Sequence, residues 1–343
     1  MMRCVQRGVI VISVAVAGLA PATMAATPWA SAGQGTAAAA HRCIRVTASV
    51  GVGLQPIEAA LDPRTNTVYV TNETGNTVSV ISGRTNAVIA TIPVGLFPQG
   101  VAVDPRTNTI YVANFISQTV SVISGQTNTV TATIPAISVP FGVAVNPKTN
   151  TIYVVSSSGS GQNAVSVISG QTNAVTATIS VGADPVDVAV NPKTSTVYVT
   201  NQGAATVSVI SGPASTVTAT IPVGFGPFGV AVDPKTDTAY VANRDSGTVS
   251  VISGQTSTVT ATIPVGGGPG GIAVDPRTNT IYATAERFPS GTVSVISGRT
   301  YTVTATIPQR GLPFGVAVDP KAKAAYVANL AGHTVSVLAA CPK

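Results

Sequence analysis

One stretch, Val223 to Pro264 (VGFGPFGVAVDPKTDTAYVANRDSGTVSVISGQTSTVTATIP), recurs with small changes along nearly the whole chain. Copies begin at Val52, Val94, Ala136, Val181, Val223, Val265 and Gln309. A period of roughly 40–45 residues marks a supersecondary unit that cannot bury its apolar face alone and must stack on its neighbours. Within the unit, four short runs rich in Val, Ile, Thr and Tyr alternate with turn chemistry. Asp233-Pro234-Lys235-Thr236-Asp237 is a tight reversal, because Asp accepts from backbone N–H groups two residues on and Pro presets φ. Ser253-Gly254-Gln255-Thr256 is a second reversal, and Pro264 ends the fourth run because it cannot donate to a ladder. Strands this short with turns this tight pair antiparallel, so each unit is predicted to be a four-stranded meander.

The expected fold is therefore all-β: a seven-bladed β-propeller of four-stranded antiparallel blades. A β-solenoid has no use for the tight antiparallel reversals. The units starting at Ala136 and Val265 are longer than the rest, and both excesses, Ser156 to Asn163 and Glu286 to Ser290, fall between the second and third strands. That loop position is expected to project from one face.

Strand counting predicts how the ring closes. The last unit has three runs and then ends at Lys343, while Ile44 to Val50 precedes the first full unit and aligns with its fourth strand, Asn86 to Ile92. The N-terminal strand 44–50 should complete the last blade. In the same alignment Cys341 and Cys43 fall on Arg84 and Thr85, neighbours inside one reversal, so their Cα atoms should lie within disulfide reach, below about 7 Å.

Residues 1–26 read as an export signal, with Arg3 and Arg7 ahead of the apolar run Gly8 to Ala20 and small residues after it. Residues 27–41 read as a flexible leader and 42–343 as the propeller. The reading is of a secreted, monomeric protein with no membrane span, in a compartment that favours a Cys43–Cys341 disulfide. The net charge of +6 falls to +4 without Arg3 and Arg7. Its basic residues are spread along the chain, which argues against a nucleic-acid partner. The only histidines are His41 and His333, there is no CxxCH, and the one Trp lies outside the ring, so no metal or cofactor is expected and no nucleophile-activating triad.

Tyr69 to Asn72 and Tyr198 to Asn201 read YVTN, and Tyr111 to Asn114, Tyr240 to Asn243 and Tyr326 to Asn329 read YVAN. With the flanking VAVDP and VSVISG motifs, residues 43–343 resemble the YVTN-repeat β-propeller family of exported bacterial proteins and archaeal surface-layer proteins. The units with the long loops depart from it, with Ser156 and Ala285 in place of Asn. The resemblance implies seven blades and a binding or surface role more than a reaction, although related propellers include lactone hydrolases. It also implies that the blade-to-blade and second-to-third-strand connections share one rim that carries the ligand.

All seven Phe fall in those connections. Phe141, Phe228 and Phe314, each in Pro-Phe-Gly, are expected to wedge between neighbouring blades. Phe97, Phe115, Phe225 and Phe288 occur once each at variable positions and are the candidates for ligand contact. Glu58 and Asp187 replace a glycine found in the other five units at the mouth of the innermost strands. Two carboxyls need to lie within about 5–9.5 Å for paired acid–base work; three blades of separation speaks against that and for a solvated channel lining. Arg244, Asp245, Arg310 and His333 share the rim, with Arg244–Asp245 read as an exposed pair. The opposite rim carries one cation per blade, from Arg64 to Lys321, either a polyanion-binding ring or charges settled in their own turns. Together these features point to a non-catalytic binding module for an unknown protein or cell-envelope polysaccharide. The alternative is a lactone-hydrolase-like enzyme using Glu58, Asp187, Arg310 and His333.

Overall fold

The computed structural model describes residues 43–136, 138–157, 162–286 and 290–341. The export signal, the leader and Phe288 lie outside these residues. Seven four-stranded sheets follow one another along the chain, six of them built from consecutive strands. In the first blade these run from the channel outward as Pro56–Asp62, Thr67–Asn72, Thr77–Ser82 and Ala87–Pro93. Each innermost strand touches the next, and Pro56–Asp62 touches Pro313–Asp319 of the last blade, which makes a closed ring.

The middle strands explain the composition. Thr67–Asn72 and Thr77–Ser82 are buried along almost their whole length, whereas Ala87–Pro93 is exposed at most positions. A middle strand is covered on both faces, so successive side chains are buried whichever way they point, the small polar Thr71 and Ser79 included. Between the first two blades, Tyr69, Val78, Val80 and Ile92 pack on Val101, Ile110, Val112 and Ile123. Burying each such side chain is worth about 1.5–3 kcal/mol, and none of it is available to a blade on its own.

Polar side chains fix the corners. Asp62 Oδ1 accepts the Arg64 N–H at 2.8 Å, and the same bond recurs at Asp104, Asp233, Asp275 and Asp319. The Asn of the YV[TA]N motif ties the second strand to the third: Asn72 Nδ2 donates to Thr77 Oγ1 and Ser79 Oγ, both at 2.9 Å. Asn114, Asn201, Asn243 and Asn329 do the same. Ser156 and Ala285 cannot make this tie, and theirs are the corners that carry the longer loops.

The last blade closes as the strand count predicts. Ile44–Gly51 pairs antiparallel with Thr334–Ala340, from Ile44 opposite Ala340 to Gly51 opposite Thr334. Outer strands carry a bulge at which a threonine hydroxyl donates to a third-strand carbonyl, as Thr131 does to Val122 at 3.2 Å; Thr47 donates in the same way to Val337 at 3.1 Å. The borrowed strand thus takes the full role of a fourth strand. Cys43 and Cys341 form a disulfide, with Cα atoms 5.3 Å apart.

On the rim opposite the channel mouth, four of the seven cations turn their side chains to the neighbouring blade and not to the Asp of their own turns. Arg64 donates to the Pro105 carbonyl at 2.9 Å, Arg106 to Pro147 at 2.8 Å and Arg277 to Pro320 at 2.9 Å, while Lys321 reaches Pro63 across the closure. Each clasps the neighbouring blade.

Two stability changes follow. The disulfide spans 298 residues, for which chain-entropy arithmetic gives about 5–6 kcal/mol. Cys43→Ser should lower the denaturation midpoint by a corresponding amount, and mass spectrometry of the unreduced parent protein should find Cys43 and Cys341 joined. Gln309 stands where five units have a core-packed Val, is 3 % exposed, and finds no hydrogen-bond partner for its amide among the described residues. Gln309→Val should stabilise the ring by about 1–3 kcal/mol, read as a higher midpoint in urea.

Candidate functional site

The innermost strands each begin at one rim with proline followed by a variable residue: Ile57, Gln99, Phe141, Val186, Phe228, Gly270 and Phe314. Ile57, Val186, Phe228 and Phe314 form a buried apolar cluster, with Leu330 packed against it. These residues come from blades 1, 4, 5 and 7, so the cluster sits across the ring axis. This corrects the expectation that Phe228 and Phe314 wedge between adjacent blades. The reason is Gly270, whose missing side chain in the intervening blade lets the two rings meet edge to face at 5.3 Å. Phe141 turns instead to Phe115, with ring centroids 4.9 Å apart.

One residue further along their strands lie Glu58 and Asp187, each half-buried. Glu58 Oε1 accepts the Ala59 N–H at 3.0 Å. Asp187 is held more firmly: Oδ1 accepts from Val188 at 2.8 Å and Oδ2 from Val230 of the next blade at 2.9 Å. Glycine at the same position in the preceding blade makes room for each carboxyl. A Cβ at Gly142 would stand 2.8 Å from Asp187 Oδ1, and one at Gly315 would collide with Glu58 Oε1. Burial, joined by the negative charge of Asp187, pushes the Glu58 carboxyl up to about 8. Burial also raises Asp187, to about 6, against the two backbone N–H groups that pull it down. Although three blades apart in sequence, the pair is electrostatically coupled across the ring.

Thr71 and Thr200, on the second strands of these same two blades, donate to the next blade's Gln99 and Phe228 carbonyls at 2.7 and 2.6 Å. Their hydroxyl oxygens also accept the Glu58 and Asp187 N–H groups. The carboxyl-bearing strands are thereby tied down on both sides.

The remaining rim residues divide into two sectors. Arg244 forms an ion pair with Glu286 of the next blade at 2.8 Å, the only one among the described residues, and its guanidinium lies 5.5 Å from the centre of the Phe228 ring. The Arg244–Asp245 pairing expected from sequence is replaced by this cross-blade pair, because Asp245 is on the far side of the tight corner closed by its N–H to Phe225. His333 is exposed at φ 49°, and its Nδ1 accepts the Gln55 N–H at 3.0 Å, which makes it a connector between last and first blades. Arg310 is exposed at the end of an outer strand. Among the described residues no hydrogen bond or ion pair joins Arg310 or His333 to Glu58 or Asp187, and no three His, Cys, Asp or Glu side chains cluster as a metal site.

The other sector, on blades 1 and 2, is apolar, and Phe225 adds an exposed ring at the Asp245 corner of blade 5. Phe225 is 74 % exposed, Leu54 55 %, and Leu96 and Ile116 50 % each. Their backbones are fixed: Phe225 N–H donates to Ser246 Oγ at 2.8 Å, Leu96 to Ser117 Oγ at 2.7 Å, and Ile116 to the Leu96 carbonyl at 3.2 Å. Phe97, half-buried at φ 55°, donates to Asn76 Oδ1 at 2.9 Å and accepts from Phe115. Sequence reasoning singled out Phe225, Phe97 and Phe115, of which Phe225 is exposed while Phe97 and Phe115 are half-buried. It missed Leu54, Leu96 and Ile116, which a comparison of equivalent loop positions would have marked as large where others are small. It also missed Ile57 and Val186.

Ring, channel and rim define a seven-bladed β-propeller. Residues 37–210 match the family described as YNCE-like beta-propeller, and the chain belongs to that family. This agrees with the YVTN-type resemblance. Among solved structures, hydrazine synthase of Kuenenia stuttgartiensis is similar at 22 % identity and a TM-score of 0.72, covering 82 % of this chain and 95 % of that one. At that identity the likeness speaks to the fold alone. No curated protein matches the chain.

The carboxyl pair sets a pH dependence. Folded values above the unfolded ones (4.5 for Glu58, 3.8 for Asp187) mean that the ring binds more protons than the unfolded chain up to about pH 8. Stability should therefore be greatest at the acid end of this window and fall as pH rises through it. Glu58→Gln, which keeps the Ala59 bond and cannot ionise, should flatten that fall in thermal melts and gain about 1–3 kcal/mol at the alkaline end.

Proposed function

We propose that the protein is an exported, non-catalytic binding propeller that holds an exported protein or a cell-envelope polysaccharide on its channel-mouth rim. The observation that carries this reading is the set of exposed apolar side chains, Leu54, Leu96, Ile116 and Phe225, on loops whose backbones are held by hydrogen bonds. Rigid apolar groups ringed by polar loops are the usual makings of a contact surface, because little ordering entropy is lost on binding. The apolar character favours a protein partner over a polysaccharide. Export rests on the N-terminal signal pattern, and the Cys43–Cys341 disulfide suits an oxidising compartment. No helix among the described residues is long and apolar enough to cross a membrane.

A hydrolytic reading has one observation in its favour, the coupled Glu58–Asp187 pair with its raised carboxyls. Against it stand the apolar cluster one residue nearer the rim, the bond of His333 to Gln55 and the exposed position of Arg310 at the end of an outer strand.

Capture from envelope extracts of the producing organism separates the two. A Leu96→Ser/Phe225→Ser variant should lose the partner recovered by the parent protein, by about tenfold or more, since truncating a central apolar contact costs 1–2 kcal/mol or above. Equal recovery by both proteins, together with lactone hydrolysis that Glu58→Gln abolishes, would establish the enzyme instead.

A further inference from the structure

On the rim opposite the channel mouth, the seam between blades 3 and 4 breaks the repeat at several positions together. The left-handed residue that closes each blade's first turn is Asn66, Asn108, Asn150, Ser195, Asp237, Asn279 and Lys323 in order. In five blades the side-chain oxygen of this residue packs against the glycine of that blade's other turn, as Asn108 does against Gly125 and Asn279 against Gly298. Ser195 is too short to do so. Beside Gly212 remain the Ser195 backbone carbonyl and the hydroxyl of Tyr153, which reaches across from blade 3 to 2.8 Å from where a Cβ would stand, much as Tyr69 does at Gly125, but with no side-chain oxygen of the turn residue next to it. The same turn reads Gly212-Pro213-Ala214-Ser215 where the other complete units have Gln or Arg and then Thr after the glycine.

The outcome is a cavity of about 230 Å³ at this seam, with Asn146, Tyr153, Ser195, Gly212 and Pro213 in its wall. No ionisable carboxylate, ammonium or guanidinium lines it. Asn146 is already engaged, donating to Ser195 Oγ at 3.1 Å and accepting from the Lys148 N–H at 3.1 Å. Tyr153 is not. It is 2 % exposed, it lines the cavity, and its hydroxyl makes no hydrogen bond among the described residues. At the seam between blades 5 and 6 the corresponding Tyr240 donates to Asn279 Oδ1 at 3.4 Å. Desolvation raises Tyr153 above the usual phenol range, so it stays a protonated donor. The proton of the Ser195 hydroxyl, whose oxygen accepts from Asn146, is a second donor facing the same space.

We propose that this cavity is a subsite for an acetamido group, of the kind carried by N-acetylated amino sugars. The group supplies what Asn279 supplies to Tyr240 at the seam between blades 5 and 6, a carbonyl oxygen, here to accept from Tyr153 and Ser195, and adds a small apolar end against Pro213. A neutral amide suits a wall that holds hydroxyls and apolar carbon but no charge, whereas an ion would lose its hydration without a counter-charge.

Heteronuclear NMR titration of the whole protein with N-acetylglucosamine, acetamide and glucose tests this. Both acetamido compounds should shift the backbone signals of Tyr153, Ser195 and Gly212, and glucose should not. Tyr153→Phe should weaken the response about tenfold. Ser195→Asn, which restores the residue of four other blades, should abolish it while raising the melting temperature. A response to acetamide alone also supports the subsite and assigns it to small free amides. Equal shifts with glucose, or undiminished binding in Ser195→Asn, would overturn the proposal.

Discussion

The structure depends on burial between blades. Strands such as Thr67–Asn72 and Thr77–Ser82 are apolar on both faces, so a sheet standing alone would leave one of those faces in water. Stacking solves the problem for every blade except those at the ends of a row, and only a ring has no ends. That is why the seam between last and first blades carries reinforcements of different kinds: a borrowed strand, a disulfide, the Lys321 contact to Pro63 and the His333 contact to Gln55. The interior seams rely mainly on packing and on clasps such as Arg64 to Pro105.

Repetition made the architecture legible. Seven copies of one pattern locate every strand, and a missing fourth strand at one end with a spare at the other leaves one way to close. Asn72 and its counterparts could be recognised as a motif, but their job appears only in three dimensions, where the amide spans to Thr77 and Ser79. The function of the motif also explains its exceptions, since corners without it are the ones free to lengthen. What the repeat hides is everything that depends on its small departures. Phe228 and Phe314 meet because Gly270 between them is small. Arg244 turns to the next blade's Glu286 instead of its sequence neighbour Asp245. Ring curvature decides such contacts, and it is not written in any single unit.

The carboxyl pair shows the same limit. Blades 1 and 4 are distant along the chain, and linear reasoning kept Glu58 and Asp187 apart. A ring brings opposite blades face to face across a narrow channel, where few waters screen charge and the field between two groups stays strong. The coupling between them follows from closure. The Thr71 and Thr200 hydroxyls that anchor those two blades occupy the third position of YVTN, and Thr284 makes the same ties in blade 6, where glycine stands in place of the acid.

The partnership of Ile44–Gly51 with Thr334–Ala340 also has a temporal side. A chain emerging from its first residue onward cannot complete this sheet until its final strand has arrived, nearly three hundred residues later. Earlier blades can stack as they appear, but the first strand waits unpaired, and contacts of such long range form slowly. A polypeptide cut short at its far end therefore has nothing to pair with its beginning and keeps a bare sheet edge.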